Sequence, residues 1–134
     1  MDRVKFGWWL AFAAFMSGLI GGSVVRGPSI QVEFAYTLAF PFLAAPVLYV
    51  VFSRNEERIE GSLWRRMGVF IVVLFTAGSA LSLIAVTLGL GVGGLVGMGT
   101  QVLAFLAGLG AAVWVAYGGL GDHLWNEYAL DDLK

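Results

Sequence analysis

Few side chains in this sequence could do chemistry, and their spacing decides what each could do. Glu33 stands seven residues after Arg26, across a Gly27-Pro28 turn. A carboxylate near a membrane is a candidate for moving a proton or a cation, but this one has water and Arg26 within reach, which favours a structural ion pair. Gln101 lies alone in an apolar run, where an amide either ties helices together by hydrogen bonds or contacts a ligand. Thr76, Ser79, Ser82 and Thr87 put hydroxyls along one segment. Such groups either line a polar path or bond back to their own helix carbonyls.

Two further patterns are weaker. His123, the only histidine, follows Asp122 and precedes Glu127 by four residues. On a helix His123 and Glu127 would share a face, and two or three such ligands can hold a metal, but the spacing is unspecific. The run at 89–99, GLGVGGLVGMG, has no strand before it and no Gly-Lys-Ser/Thr, so it is no phosphate loop. It reads as a tight turn, with a re-entrant loop as the sharper alternative.

The absences are more decisive. With no cysteine in the chain, disulfides, thiolate metal sites, iron–sulfur clusters and cysteine nucleophiles are all excluded. One histidine cannot give a haem both axial ligands. A net charge of −1 supplies no basic field for nucleic acid. Residues 7–25, 34–52 and 67–121 contain no Asp, Glu, Lys, Arg or His, whereas proton-coupled carriers and intramembrane hydrolases depend on polar or titratable groups inside the membrane. The chain lacks the embedded glutamate of small multidrug exporters and the polar and aromatic signature of dimeric fluoride channels. No catalytic set, metal site or cofactor is expected.

What holds these residues is predicted to be membrane. Hydrophobic residues make up 59% of the 134 and charged residues 13%, about half the charged share of a soluble domain. A crossing needs roughly 20 apolar residues, so 67–121 holds two crossings. The expectation is a single all-α domain, 1–134, with four transmembrane helices at about 7–25, 34–52, 67–88 and 100–117 and a short tail at 118–134. The start, MDRVKFGWWLAFAAF, resembles a secretory leader, but its apolar run is span-length and no A-x-A follows, so it reads as the first span. Pro41 and Pro46 predict a bend in the second span. In the polar stretch at 53–66, Asn55 should cap a short helix that Gly61 ends, and Ser62 should cap the next span.

Orientation follows from charge. Four spans put Arg3, Lys5, Arg54, Arg58, Arg65, Arg66 and Lys134 on one side and Arg26 on the other. The positive-inside rule makes the first side cytoplasmic, with both termini, one polar loop and the tail there, and only short loops outside. All five tryptophans, Trp8, Trp9, Trp64, Trp114 and Trp125, fall near that boundary, where indole rings favour the headgroup zone.

Helices in lipid associate through small residues. The candidate packing or partner-interface positions are Gly18 and Gly22 after Ala14 in the first span, and Ala104, Gly108 and Ala112 in a four-spaced row from Thr100 to Ala116 in the last. Gly78, Ser79 and Ser82 add small residues in the third. The candidate polar or pore contacts are Glu33, Thr76, Ser79 and Gln101. The functional expectation is a non-enzymatic subunit of a multi-pass cell-membrane assembly or an enveloped particle. It would be accessory, anchoring or structural, with lipid and other membrane subunits, or further copies of itself, as partners. In the tail, Leu124, Trp125 and Tyr128 could lie along the inner leaflet. The alternative is a homo-oligomeric channel or facilitator for a small solute or ion.

Overall fold

The computed structural model describes residues 2–25, 27, 29–90 and 94–118. These form α1 (Arg3–Val24), α2 (Ile30–Arg54), α3 (Glu56–Glu60), α4 (Leu63–Thr87) and α5 (Gly94–Tyr117). Four of them, α1, α2, α4 and α5, are long and apolar enough to span a membrane. At 22 to 25 residues they measure about 33–38 Å, against a hydrocarbon thickness of roughly 30 Å. The predicted spans 7–25, 34–52, 67–88 and 100–117 fall on these helices, and each helix extends beyond its predicted span at one end or both. Hydropathy marks where charge stops, whereas a helix continues until its backbone groups find other partners.

Those partners are visible at the helix ends. The Asp2 carboxylate accepts from the Val4 N–H at 3.5 Å and starts α1. At α2 the Ser29 hydroxyl accepts from the Val32 N–H at 3.3 Å. Glu33 therefore lies in the first turn of α2, not in the link, and its carboxylate accepts from the Gly27 N–H at 3.1 Å. Negative charge is favoured at that helix end. α4 closes with Gly89 at φ +78°, while the Gly89 N–H donates to Val86 O and the Leu90 N–H to Ala85 O. This is a Schellman closure, in which a left-handed glycine satisfies the last carbonyls.

Two local expectations need correction. The glycine run does not form a turn over 89–99, because α5 begins at Gly94 and takes in Gly97 and Gly99. Glycine weakens a helix by about 1 kcal/mol per residue, but in lipid an unbonded backbone group costs several, so the helix prevails. Residues 91–93 lie outside those described. Asn55 and Ser62 flank α3 as predicted, but neither side chain caps the start of the helix that follows it. Asn55 Nδ2 instead donates to Val51 O at 3.0 Å, closing α2, and Ser62 Oγ accepts from Arg66 Nε at 2.7 Å. α3 is held down by Ile59, which is fully buried. α2 continues unbroken through Pro41 and Pro46. Pro41 has no N–H for Thr37 O, and that carbonyl lies against Gly18.

The helices stand in the order α1, α2, α5, α4 around the bundle, and the α2–α5 seam is the loosest. An open apolar groove runs along it, lined by residues that include Ala39, Leu43, Met98 and Val102. Small residues bring the helices together at several points, and many large apolar side chains lie on the exterior. Ala13, Ala44, Gly78, Gly108 and Ala112 are buried, whereas Phe34, Phe42, Phe75 and Leu103 face outward. In water that exterior would be an aggregating surface; in lipid it is solvated. The core is continuous from Trp9, Phe52, Phe70 and Tyr117 at one end to Phe40 and Phe105 at the other. Phe40 and Phe105 stack at 3.9 Å, and Tyr36 stacks on Phe40 at 5.4 Å.

Three glycine contacts set two of the helix separations. A Cβ on Gly22 would overlap the Thr37 side chain and one on Gly18 the Pro41 ring, so α1 lies directly on α2. A Cβ on Gly108 would come within 3.2 Å of Gly78 N, so α5 lies directly on the α4 backbone. A Cβ on Gly110 would meet nothing. Gly22→Val should therefore cost about 1–3 kcal/mol through overpacking, and Gly110→Ala should be neutral or slightly stabilising. Thermal denaturation of both variants in detergent checks the contrast.

Candidate functional site

The buried polar side chains that join one helix to another fall into two sets among the described residues, one at each end of the bundle. At the end formed by the last turns of α4 and the first turns of α5, Ser82 and Gln101 are both buried. Ser82 Oγ donates to Gln101 Oε1 at 3.0 Å. Both face inward because they share helical phase with buried neighbours: Phe70, Leu74, Gly78 and Ser82 on α4, and Gly97, Gln101, Phe105 and Leu109 on α5. The bond ties α4 to α5. It offers no titratable group.

The opposite end carries the tryptophans. Trp9 and Trp64 pack edge to face at 5.3 Å, and Trp114 lies one turn from the end of α5. Trp125 lies outside the described residues. Here Arg66 is buried, 4% exposed. Its Nη1 donates to Ala116 O at 2.8 Å and its Nε to Ser62 Oγ at 2.7 Å. The last carbonyls of a helix lack intrahelical partners and carry partial negative charge, so a guanidinium there satisfies both needs and fastens the start of α4 to the end of α5. Beside it the Trp9 indole N–H and the Tyr117 hydroxyl lie close together, both buried and neither within good hydrogen-bond geometry of a partner among the described residues.

The sequence treated Arg66 only as an orienting cation. The signal for its burial was present. Arg66, Phe70, Leu74, Gly78 and Ser82 are spaced by four, so Arg66 shares the stripe of the most deeply buried α4 residues. Arg65, about 100° round the helix, does not. Gly21 was also missed. A Cβ there would strike both Phe40 and Phe105, so this glycine admits the central ring stack.

The remaining predicted positions separate. Gly18 and Gly22 meet α2. Ala104, Gly108 and Ala112 are buried within the bundle, and Gly108 meets α4. Ala107 beside it faces outward. Thr76 is exposed on the bundle exterior and Ser79 is half-buried. Glu33 is half-buried at the α2 start. The structure brings Gln101 together with Ser82, but it does not gather Glu33, Thr76, Ser79 and Gln101 into one path. Thr37, Thr100, Ser17 and Ser23 bond back to carbonyls of their own helices. The Arg26–Glu33 pair and the Asp122, His123 and Glu127 set involve residues outside those described, as do Leu124 and Tyr128.

Among the described residues no three His, Cys, Asp or Glu side chains come together. Comparison with known protein families, with curated proteins and with solved structures finds no match.

The two ends generate separable expectations. Ser82→Ala, Gln101→Leu and the double variant should show a coupling of about 0.6 kcal/mol, and no more than about 1.7, in a double-mutant cycle. Arg66→Gln should lose about 1.5–3 kcal/mol, the range for a hydrogen bond to a charged group. Arg65→Gln, at a half-buried position off the Arg66 stripe, should lose less, about 1 kcal/mol or under. Denaturation in detergent reads all five variants.

Proposed function

We propose that this chain is a non-enzymatic, multi-pass subunit of the cell membrane. It works as an accessory, anchoring or structural component of a larger membrane assembly or of an enveloped particle. The observation that carries this reading is where the interior polar groups are used. Ser82 with Gln101, and Arg66 with Ala116 O, are engaged in joining helix to helix, and large apolar side chains fill the space between them. Such an interior supports a packing unit whose business is at its lipid-facing surfaces. Its partners are the bilayer and other membrane subunits, or further copies of itself, and not nucleic acid.

The same reading places both termini, the α3 loop and the tail in the cytoplasm. Arg3, Lys5, Arg54, Arg65 and Arg66 share the tryptophan-bearing end, and the cation bias of short loops sets orientation. A second reading, a homo-oligomeric channel or facilitator for a small solute or ion, draws on Thr76. Its exposure on the exterior of α4 would let its hydroxyl line a path between copies, not within one.

Since the native chain has no cysteine, single introduced cysteines report topology cleanly. A membrane-impermeant maleimide added to intact cells should label Leu90→Cys and spare Ser53→Cys until the membrane is opened; the reverse pattern inverts the orientation. Gentle extraction followed by native mass measurement should yield a defined complex with other chains. A clean homo-oligomer that conducts a solute in liposomes would replace the subunit reading with the channel.

A further inference from the structure

We propose that the α2–α5 seam seats one acyl chain of an ester-linked glycerolipid, with the Tyr36 hydroxyl donating to its ester carbonyl. The groove along this seam holds about 390 Å³ and runs from Gln31 at its mouth to Leu43. That is a length of about 18 Å at ~1.5 Å per residue, which carries it from headgroup depth to the middle of a roughly 30 Å hydrocarbon core. The volume over that length leaves a cross-section of about 20 Å², the girth of one extended hydrocarbon chain. A helix about 10–12 Å across needs several times as much. This rests on the reading that the bundle spans the membrane, with the start of α2 at the interface opposite the tryptophans.

The shape of the groove follows from its walls. Neighbouring helices α2 and α5 touch each other least, so the seam stays open. Ala35 and Ala39, one turn apart and both exposed, hollow the α2 wall, and Met98 stands on the α5 side. The floor is made by the stacked rings of Tyr36 and Phe40. The exposed lining is almost entirely apolar, which suits hydrocarbon and gives a charged headgroup nothing to bind.

Tyr36 supplies the selection. It is 6% exposed, and its hydroxyl has no hydrogen-bond partner among the described residues. A buried hydroxyl left unpaired costs about 1–3 kcal/mol, and the hydrocarbon core holds no water to relieve it. Depth names the acceptor. Tyr36 stands six residues into α2, about 9 Å along the axis, and this 25-residue helix overhangs the core by about 4 Å at each end. Side chains on a helix lean toward its N-terminus, which brings the hydroxyl back to the edge of the hydrocarbon, where acyl ester carbonyls lie. The hydroxyl sits under its neighbours, so the bond includes a tilt of the ring toward the open side of the seam. An ether-linked chain fits the same groove but lacks the carbonyl.

The test uses the full chain in phosphatidylcholine vesicles with a trace of phosphatidylcholine that carries a diazirine near the end of one chain, either ester-linked or ether-linked. Crosslinks are mapped by mass spectrometry at Leu43 in the groove and, as the reference, at Phe75, which is exposed and also lies midway along its helix. Relative to Phe75, the ester lipid should label Leu43 roughly fivefold more than the ether lipid does, the equivalent of a ~1 kcal/mol hydrogen bond. Tyr36→Phe should remove that ratio. It keeps the ring and should melt in detergent no lower than the native chain, so the loss would not be one of folding. Ala39→Leu, at an exposed position, should lower Leu43 labelling by both lipids. Equal labelling by the two lipids, or a ratio that survives Tyr36→Phe, overturns the proposal. So does a Leu43 that neither lipid labels because a second copy or another subunit's helix covers the seam. Cysteine labelling that failed to place the bundle across the membrane would instead remove the premise.

Discussion

Lipid gives one helix no hydrophobic reason to prefer another over the surrounding acyl chains, so this fold depends on how closely its backbones can approach. The approach is made at few points. Gly18 and Gly22 let α1 rest on Pro41 and Thr37, and Gly108 meets Gly78 where α5 crosses α4. The resulting dispersion contacts are individually small, but they become numerous once the Cβ atoms are absent. Large side chains fill the space between these points, and at one of them Gly21 makes room for the stacked rings of Phe40 and Phe105.

The polar groups complete what close packing begins. Ser82 and Gln101 join α4 to α5 near one interface, and Arg66 joins them again near the other, so this pair is fixed at both ends. The α1–α2 pair has no such pins among its described side chains. It is held by the glycine contacts and by a proline that leaves one carbonyl facing them. One pair is fastened by hydrogen bonds and the other by shape.

Much of this was legible in the sequence because membrane burial simplifies the code. Long charge-free runs mark spans without any periodicity, and small residues spaced by four, such as Gly18 with Gly22 and Ala104 with Gly108, mark faces of close approach. Spacing could not show which neighbour each face meets. The row on α5 read first as packing within the bundle and second as a partner face, and the structure places its Gly108 over Gly78. Helix ends were misjudged where backbone satisfaction overrode propensity, as at Gly94. Arg66 was misjudged because charge suggests solvent, whereas its phase with Phe70, Leu74 and Gly78 points inward. Hydroxyl count could not show that Thr76 lies on the exterior, since an apolar exterior tolerates a hydroxyl as readily as the core does.

The tightest helix pairs are also consecutive in the chain, α1 with α2 and α4 with α5. Each is therefore a hairpin whose two arms leave the ribosome one after the other. The first can close on Gly18 and Gly22 before α4 has been synthesised, and the second can close as its last residues emerge. Sequence-local contacts of this kind favour fast assembly, and they leave little time for an unmatched small-residue face to find a wrong neighbour. Joining the two hairpins is then a late step that depends on α1 against α4 and on the loose α2–α5 seam, which makes it the stage of biogenesis most open to a chaperone or a competing helix.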